Sequence, residues 1–290
     1  MKIVAEPFWV QKRGCSPAEY EDAVYPLERA EYEQACVRLA VADGATESIF
    51  ARRWAEQLVA AVGNGDLSPR ARNVQFPHEE IAIRAYEKWC IRGRPRGSEE
   101  QDWLEAEEEL RIPADGLSRL RANWREWLSG KTLPWFAQEK ARQGSFAALV
   151  ALELFAEDEA SEGCWHAAAV GDCCLFHIRG EDVRERFPLT HAGAFDSRPH
   201  LLSTVGADED KLNEATSSGT WRSGDFFYLM SDALACWFLK HIDAGGSPSI
   251  IQADFASPNG TDPFRVWVDS LRDQGSIRND DCTLIRVEIR

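Results

Sequence analysis

The chain has 290 residues, 44% hydrophobic and 28% charged, with 33 Lys plus Arg against 48 Asp plus Glu for a net charge of −15. That balance opposes non-specific binding to nucleic acid or anionic membrane, and no apolar run approaches the roughly 18 residues a membrane span needs. Neither partner is expected, and a surplus of carboxylates suits divalent cations better.

The amino terminus, "MKIVAEPFWVQKRG", meets charge and proline too early for a signal peptide, so a cytoplasmic location is expected. Arg38 to Asp43 reads as a strand, and Glu47 to Val62 as a helix with Phe50, Trp54, Leu58 and Val62 at fourfold spacing, capped by Thr46 or Ser48. A second helical stretch begins near His78 and carries Ile81, Ala85 and Trp89.

From Arg92 to Gly130 the composition shifts. "RGRPRGS" reads as a loop, "SEEQDWLEAEEEL" packs seven acidic residues into thirteen positions, and "LSRLRANWREWLSG" is basic with Trp124 and Trp127. The two pieces are expected to pair as a helical insertion, 92–130, within a single domain spanning 1–290.

After Gly144 short apolar segments alternate with Gly or charged turns: "SFAALVALELFAE", "CWHAAAVGD", "CCLFHIRG", "DFFYLMSD" and "DCTLIRVEIR". In the last of these, Thr283, Ile285, Val287 and Ile289 alternate with Cys282, Leu284, Arg286 and Glu288, as in a strand with one buried face. Helices are expected at Ala233 to Ile242 and Pro263 to Asp273. Strands with helices grouped before and between them indicate an α+β class.

Four of the strands end or begin at an aspartate: Asp43, Asp172, Asp232 and Asp280. Converging carboxylates raise one another's pKa unless a cation neutralises them, and an all-oxygen set points to Mg²⁺ or Mn²⁺ rather than zinc. Cysteines offer no rival site. The eight lack zinc-ribbon or disulfide spacing and are expected to be reduced thiols, mostly buried. Cys173 and Arg179 have the C-x5-R spacing of cysteine-dependent phosphatases, but "CLFHI" between them has no glycine to cradle phosphate and reads as a strand. Cys173, Cys174 and His177 fail as a zinc site because adjacent strand residues face opposite sides.

Six elements in order resemble the metal-dependent Ser/Thr protein phosphatases of type 2C: Glu21-Asp22 in "EYEDAV", Asp43-Gly44 in "VADGATES", Gly144-Ser145 in "GSFAALVAL", Gly171-Asp172 in "AAAVGDCCLFHIRG", Asp232 in "GDFFYLMSDAL", and Asp280 with Thr283 in "NDDCTLIRV". The resemblance covers about Ile3 to Arg290 apart from the insertion. It implies a four-layer α-β-β-α sandwich of two antiparallel sheets flanked by helices. It also implies a site for two Mg²⁺ or Mn²⁺, with a weaker third.

By the same resemblance Asp43, Asp232 and Asp280 are the catalytic metal-binding carboxylates, the Gly44 carbonyl coordinates, Asp22 holds metal-bound water, and Asp172 serves the third metal. Gly44 has its own rationale, since lack of a Cβ lets the backbone turn sharply enough to present a carbonyl. Two metals suffice for the chemistry, because phosphoryl transfer needs positioning and charge neutralisation more than a protein nucleophile.

The chain also departs from the family. Pro17 occupies the place of the usual phosphate-binding Arg, for which Lys12 or Arg13 are candidates. Ala45 occupies the place of a His proposed to help the leaving group, Ala233 replaces a Gly and Asp281 an Asn. Leu189 to Trp221 lacks the flap's Asp-His-Ser. Two functions follow as expectations. One is a phosphatase acting on phosphoserine or phosphothreonine in a protein substrate. The other is a pseudo-phosphatase whose insertion binds a cognate kinase or other regulatory partner.

Overall fold

Two six-stranded antiparallel sheets face each other, and helices cover both outer faces. The structure is a computed structural model that describes residues 2–69, 85–86, 88–90, 92, 98, 101–103, 116–156, 162–195, 199–205, 215–252, 255 and 262–290. The start of the helix expected from His78 and most of the acidic run from Ser98 to Leu110 lie outside the described residues, while Ala85 and Trp89 of that helix are helical.

The strands are β1 (Ile3–Val10), β2 (Ala23–Tyr25), β3 (Ala30–Tyr32), β4 (Cys36–Gly44), β5 (Phe146–Phe155), β6 (Glu162–Val170), β7 (Cys174–Arg179), β8 (Asp182–Phe187), β9 (Leu202–Ser203), β10 (Ala215–Arg222), β11 (Asp225–Met230) and β12 (Cys282–Ile289). One sheet runs β3-β1-β12-β11-β7-β8; the other runs β10-β6-β5-β4-β2, with β9 beside β5. Helices α1 (Ala51–Asn64), α2 (Gly116–Ser129), α3 (Trp135–Gln143), α4 (Asp232–Asp243) and α5 (Pro263–Asp273) lie outside the sheets.

Leu39, Val41, Val150, Leu152, Phe227, Ile285 and Val287 fill the space between the sheets. Phe176, Tyr228, Met230 and Leu284 face outward beneath Phe238 of α4 and Phe264 and Val268 of α5. On the opposite outer face Ala40, Ala42, Leu149 and Ala151 meet Trp54 and Leu58 of α1 and Leu117 and Trp124 of α2. Each of these large side chains contributes about 1.5–3 kcal/mol through burial. Burial on both faces explains why β5 reads as a continuous apolar run. It also corrects the expectation for β12, whose Cys282 and Leu284 are buried as fully as Ile285.

Local corrections follow from packing. Helix α1 starts at Ala51, four residues later than its periodicity suggests. Ser48 does not cap it: its hydroxyl donates to the Ala45 carbonyl at 2.9 Å, within the turn that leads out of β4. The N-cap is Phe50, in a left-handed conformation with no side-chain cap. The eight thiols are unpaired, but only Cys173, Cys174 and Cys282 are buried. Trp124, Leu117 and the buried Arg121 make α2 part of a packed layer, and the Arg121 Nε donates to the Ser203 carbonyl at 2.8 Å.

Antiparallel pairing gathers one edge of the sandwich. Gly44 at the end of β4 lies opposite Ala147 at the start of β5, and Ala23 at the start of β2 lies opposite Ala42. Val170 at the end of β6 lies opposite Leu149, so the turn carrying Asp172 emerges at the same edge. In the other sheet Met230 ends β11 opposite Cys174 and Leu284, while Val10 ends β1 opposite Cys282. The residues just beyond these ends are Lys12, Asp22, Asp172, Asp232 and Asp280.

Candidate metal centre

That edge opens into a cavity of about 800 Å³ whose lining includes Asp43, Gly44, Asp172, Asp232 and Asp280, with Lys12, Lys140 and Arg278 as its cations. Asp22 lies beneath it, 2% exposed, and its Oδ2 accepts from Thr283 Oγ1 at 2.5 Å; that hydroxyl also bonds Tyr20 at 2.6 Å. The register that places Asp22 beside β4 also brings it under the start of β12.

Burial, reinforced by neighbouring carboxylates, holds Asp22 and Asp43 well above the ordinary carboxylate range, against which the Thr283 bond to Asp22 works in the opposite sense. Asp172 is pushed up to about 7 by burial and then by Asp232. Asp232 is raised by burial although Arg278 opposes it. Partial burial pulls the Lys12 ammonium down, and the carboxylates of Asp280 and Asp281 outweigh it.

The geometry around each carboxylate differs. Asp280 Oδ1 pairs with Lys12 Nζ at 3.2 Å and its Oδ2 with Arg278 Nη2 at 3.0 Å, while the same Nη2 bonds Asp232 Oδ2. The Asp43 carboxylate has no hydrogen bond or ion pair among the described residues, although Arg278 lies in the same cavity. A partly buried carboxylate without a partner, facing four others, is unfavourable unless a cation supplies the missing charge. The donor set is all oxygen, which fits Mg²⁺ or Mn²⁺ in charge and hardness. Among the described residues no three such groups already stand in a ligating cluster; the Arg278 guanidinium bridges two of the carboxylates.

Gly44 is explained differently from the sequence expectation. Its φ is not in the left-handed region, so no sharp turn requires glycine. A Cβ there would meet the Glu21 carbonyl oxygen at 2.7 Å and the Ala51 backbone carbon at 2.9 Å. The glycine lets the Asp22 loop and the start of α1 close around the end of β4.

Of the two candidate phosphate residues, Lys12 reaches the cavity and Arg13 does not. Arg13 Nη1 bonds Asp273 at 2.7 Å, which ties the guanidinium to α5. Asp281, a departure from the family pattern, accepts the Lys12 amide at 2.7 Å and the Glu21 amide at 2.8 Å, and so clasps two cavity loops. Sequence reasoning missed Arg278 and Lys140. The only available signal for Arg278 was its place two residues before Asp280.

The rival cysteine sites fail on geometry. Cys173 faces the core between the sheets and burial raises its thiol, whereas Arg179 is committed at the far end of β7 to Asp225, with Nε–Oδ1 at 2.8 Å and Nη2–Oδ2 at 2.7 Å. Cys174 packs under α4, and His177 Nε2 bonds Asp225 Oδ2 at 2.8 Å, so no zinc set forms.

Comparison with known proteins places this architecture. The serine/threonine phosphatase PstP/Ppp of Mycobacterium tuberculosis is similar over 100% of both chains, with a TM-score of 0.52 and 13% identity. The S. agalactiae serine/threonine phosphatase is similar over 99% of this chain and 100% of its own, with a TM-score of 0.52 and 13% identity. The phosphatase Stp1 of Staphylococcus aureus is similar over 99% and 94%, with a TM-score of 0.51 and 14% identity. A family model described as a protein of unknown function (DUF2934) matches residues 78–112. No curated protein sequence matches the chain. The fold is that of the type 2C Ser/Thr phosphatases.

Proposed function

We propose that this chain is a Mg²⁺- or Mn²⁺-dependent phosphatase that hydrolyses phosphoserine or phosphothreonine in a protein substrate. The observation that carries the reading is the convergence of Asp43, Asp172, Asp232 and Asp280 at one cavity above the buried Asp22, with the Asp43 carboxylate in no ion pair among the described residues. Asp43, Asp232, Asp280 and the Gly44 carbonyl would hold two cations, and Asp172 a weaker third. Bound there, such cations polarise a phosphoryl oxygen and activate water.

The chain's own residues do the rest. Tyr20 and Thr283 fix the Asp22 carboxylate, so that it accepts a hydrogen bond in one orientation. Asp281 holds the Lys12 and Glu21 loops at the cavity. Lys12 and Lys140 offer positive charge to an incoming anion. Ala45 supplies no proton donor to the leaving group.

The protein is read as cytoplasmic; among the described residues no helix is long and apolar enough to cross a membrane. The test is hydrolysis of a phosphopeptide with and without Mn²⁺. Turnover abolished by chelator and by Asp43→Asn or Asp232→Asn supports the proposal; turnover indifferent to all three refutes it. A pseudo-phosphatase reading is favoured by one observation, the Arg278 cation already lying across Asp232 and Asp280. That reading expects no Mn²⁺ binding in a calorimetric titration, and retention of a kinase or other partner.

A further inference from the structure

The geometry points to Arg278 as the residue that binds the substrate phosphate. The inference rests on the phosphatase reading, and it fills a role that Pro17 cannot take. Arg278 lines the cavity together with Asp43, Asp172 and Asp232. A dianionic phosphate entering this acidic rim needs a cation that faces it, and the cavity offers three.

Two of the three are less suited. Lys12 and Lys140 each end in a single ammonium, a point charge without a fork, and Lys140 stands on the exposed face of α3. Arg278 alone carries a planar fork, the geometry that matches two phosphoryl oxygens at once. Its Nη2 is used by Asp232 and Asp280. Nε and Nη1 have no partner among the described residues, and the side chain is 59% exposed. Two of its nitrogens are therefore open to an anion already, and Nη2 joins them once cations take over Asp232 and Asp280.

The loop beneath is fixed in advance. Asp280 N donates to the Arg278 carbonyl at 3.0 Å. Asn279 accepts the Arg13 amide at 2.8 Å and donates to the Arg13 carbonyl at 3.2 Å. These contacts hold the loop backbone before substrate arrives, which reduces the ordering cost of binding. They also explain why Arg13, the sequence candidate, acts through its backbone and not its guanidinium.

The experiment compares the unsubstituted protein with Arg278→Gln and Arg278→Lys in Mg²⁺, by calorimetric titration of inorganic phosphate and by phosphopeptide kinetics. Loss of a charge-assisted fork should weaken phosphate binding and raise KM by about 10- to 100-fold in Arg278→Gln, with kcat changed far less. Arg278→Lys should recover part of the loss, and an unchanged Tm would show that the loop still folds. Phosphate affinity and KM equal to those of the unsubstituted protein, with only Mn²⁺ affinity altered, would overturn the assignment, as would an unsubstituted protein that binds no phosphate. Phosphate binding without turnover in the unsubstituted protein would count against the phosphatase reading alone, and the Arg278→Gln titration would still decide this one.

Discussion

Replacing Gly44 by alanine adds a single methyl group where there is no room for it. The new Cβ would stand 2.7 Å from the Glu21 carbonyl oxygen, 2.9 Å from the Ala51 backbone carbon and 3.0 Å from the Ala51 Cβ. These are backbone or near-backbone atoms on two sides, so no flexible side chain can yield. Overpacking of this kind costs about 1–3 kcal/mol, and for a chain of this size each kcal/mol lowers Tm by roughly 2–4 °C.

Relief requires either the Asp22 loop or the first turn of α1 to move away from β4, and Asp43 precedes Gly44 on that strand. Mn²⁺ affinity should therefore fall together with stability. Scanning calorimetry in chelator and a Mn²⁺ titration read the two effects. Gly130→Ala is the control, because its methyl would meet only the Trp127 carbonyl oxygen at 3.7 Å. Gly44→Ala with the Tm and Mn²⁺ affinity of the unsubstituted protein would refute the close-approach argument.

Thr283→Val removes the donor to Asp22 and the partner of Tyr20, and leaving a buried carboxylate short of a bond should cost about 1–3 kcal/mol in urea denaturation. Asp225→Asn breaks the buried ion pair with Arg179 and His177 at the end of β11 remote from Asp232. It should destabilise the fold by about 1–3 kcal/mol, since the Arg179 left unpaired is partly exposed, while turnover per folded molecule is unchanged. The Asp172 carboxyl, held near 7 by burial, binds its proton more tightly folded than unfolded. In chelator its contribution to stability should fall as pH rises from the ordinary carboxylate range to about 7, then level off. His177, lowered by burial, titrates in the opposite sense. The quantity to measure is therefore the Tm difference between Asp172→Asn and the unsubstituted protein, which should move in favour of Asp172→Asn between pH 5 and 7.

Much of this was legible in the sequence because two signals coincide. Strands β4, β7, β11 and β12 announce themselves by apolar runs, and antiparallel pairing then forces their aspartate-bearing ends to a shared edge. Strand β10, "ATSSGTWR", was not legible: it lies at a sheet edge with alternating exposed positions, and Trp221 is its only large apolar side chain. The site divides in the same way. Asp43, Asp172, Asp232 and Asp280 could be read because each ends an element, whereas Arg278 and Lys140 reach the cavity through a loop and a helix whose direction depends on tertiary packing. At Gly44 the reason for the glycine is a close approach of two segments instead of a sharp turn. Its neighbours in space, Glu21 and Ala51, come from segments that sequence periodicity does not bring together.

The central claim is that the acidic edge holds divalent cations, and anomalous scattering from crystals soaked in Mn²⁺ tests it most directly. Peaks within coordinating distance of Asp43, Asp232 and Asp280, lost in Asp43→Asn crystals, are the expected result. A cavity without Mn²⁺ signal, with Arg278 still spanning Asp232 and Asp280 at saturating metal, would contradict it.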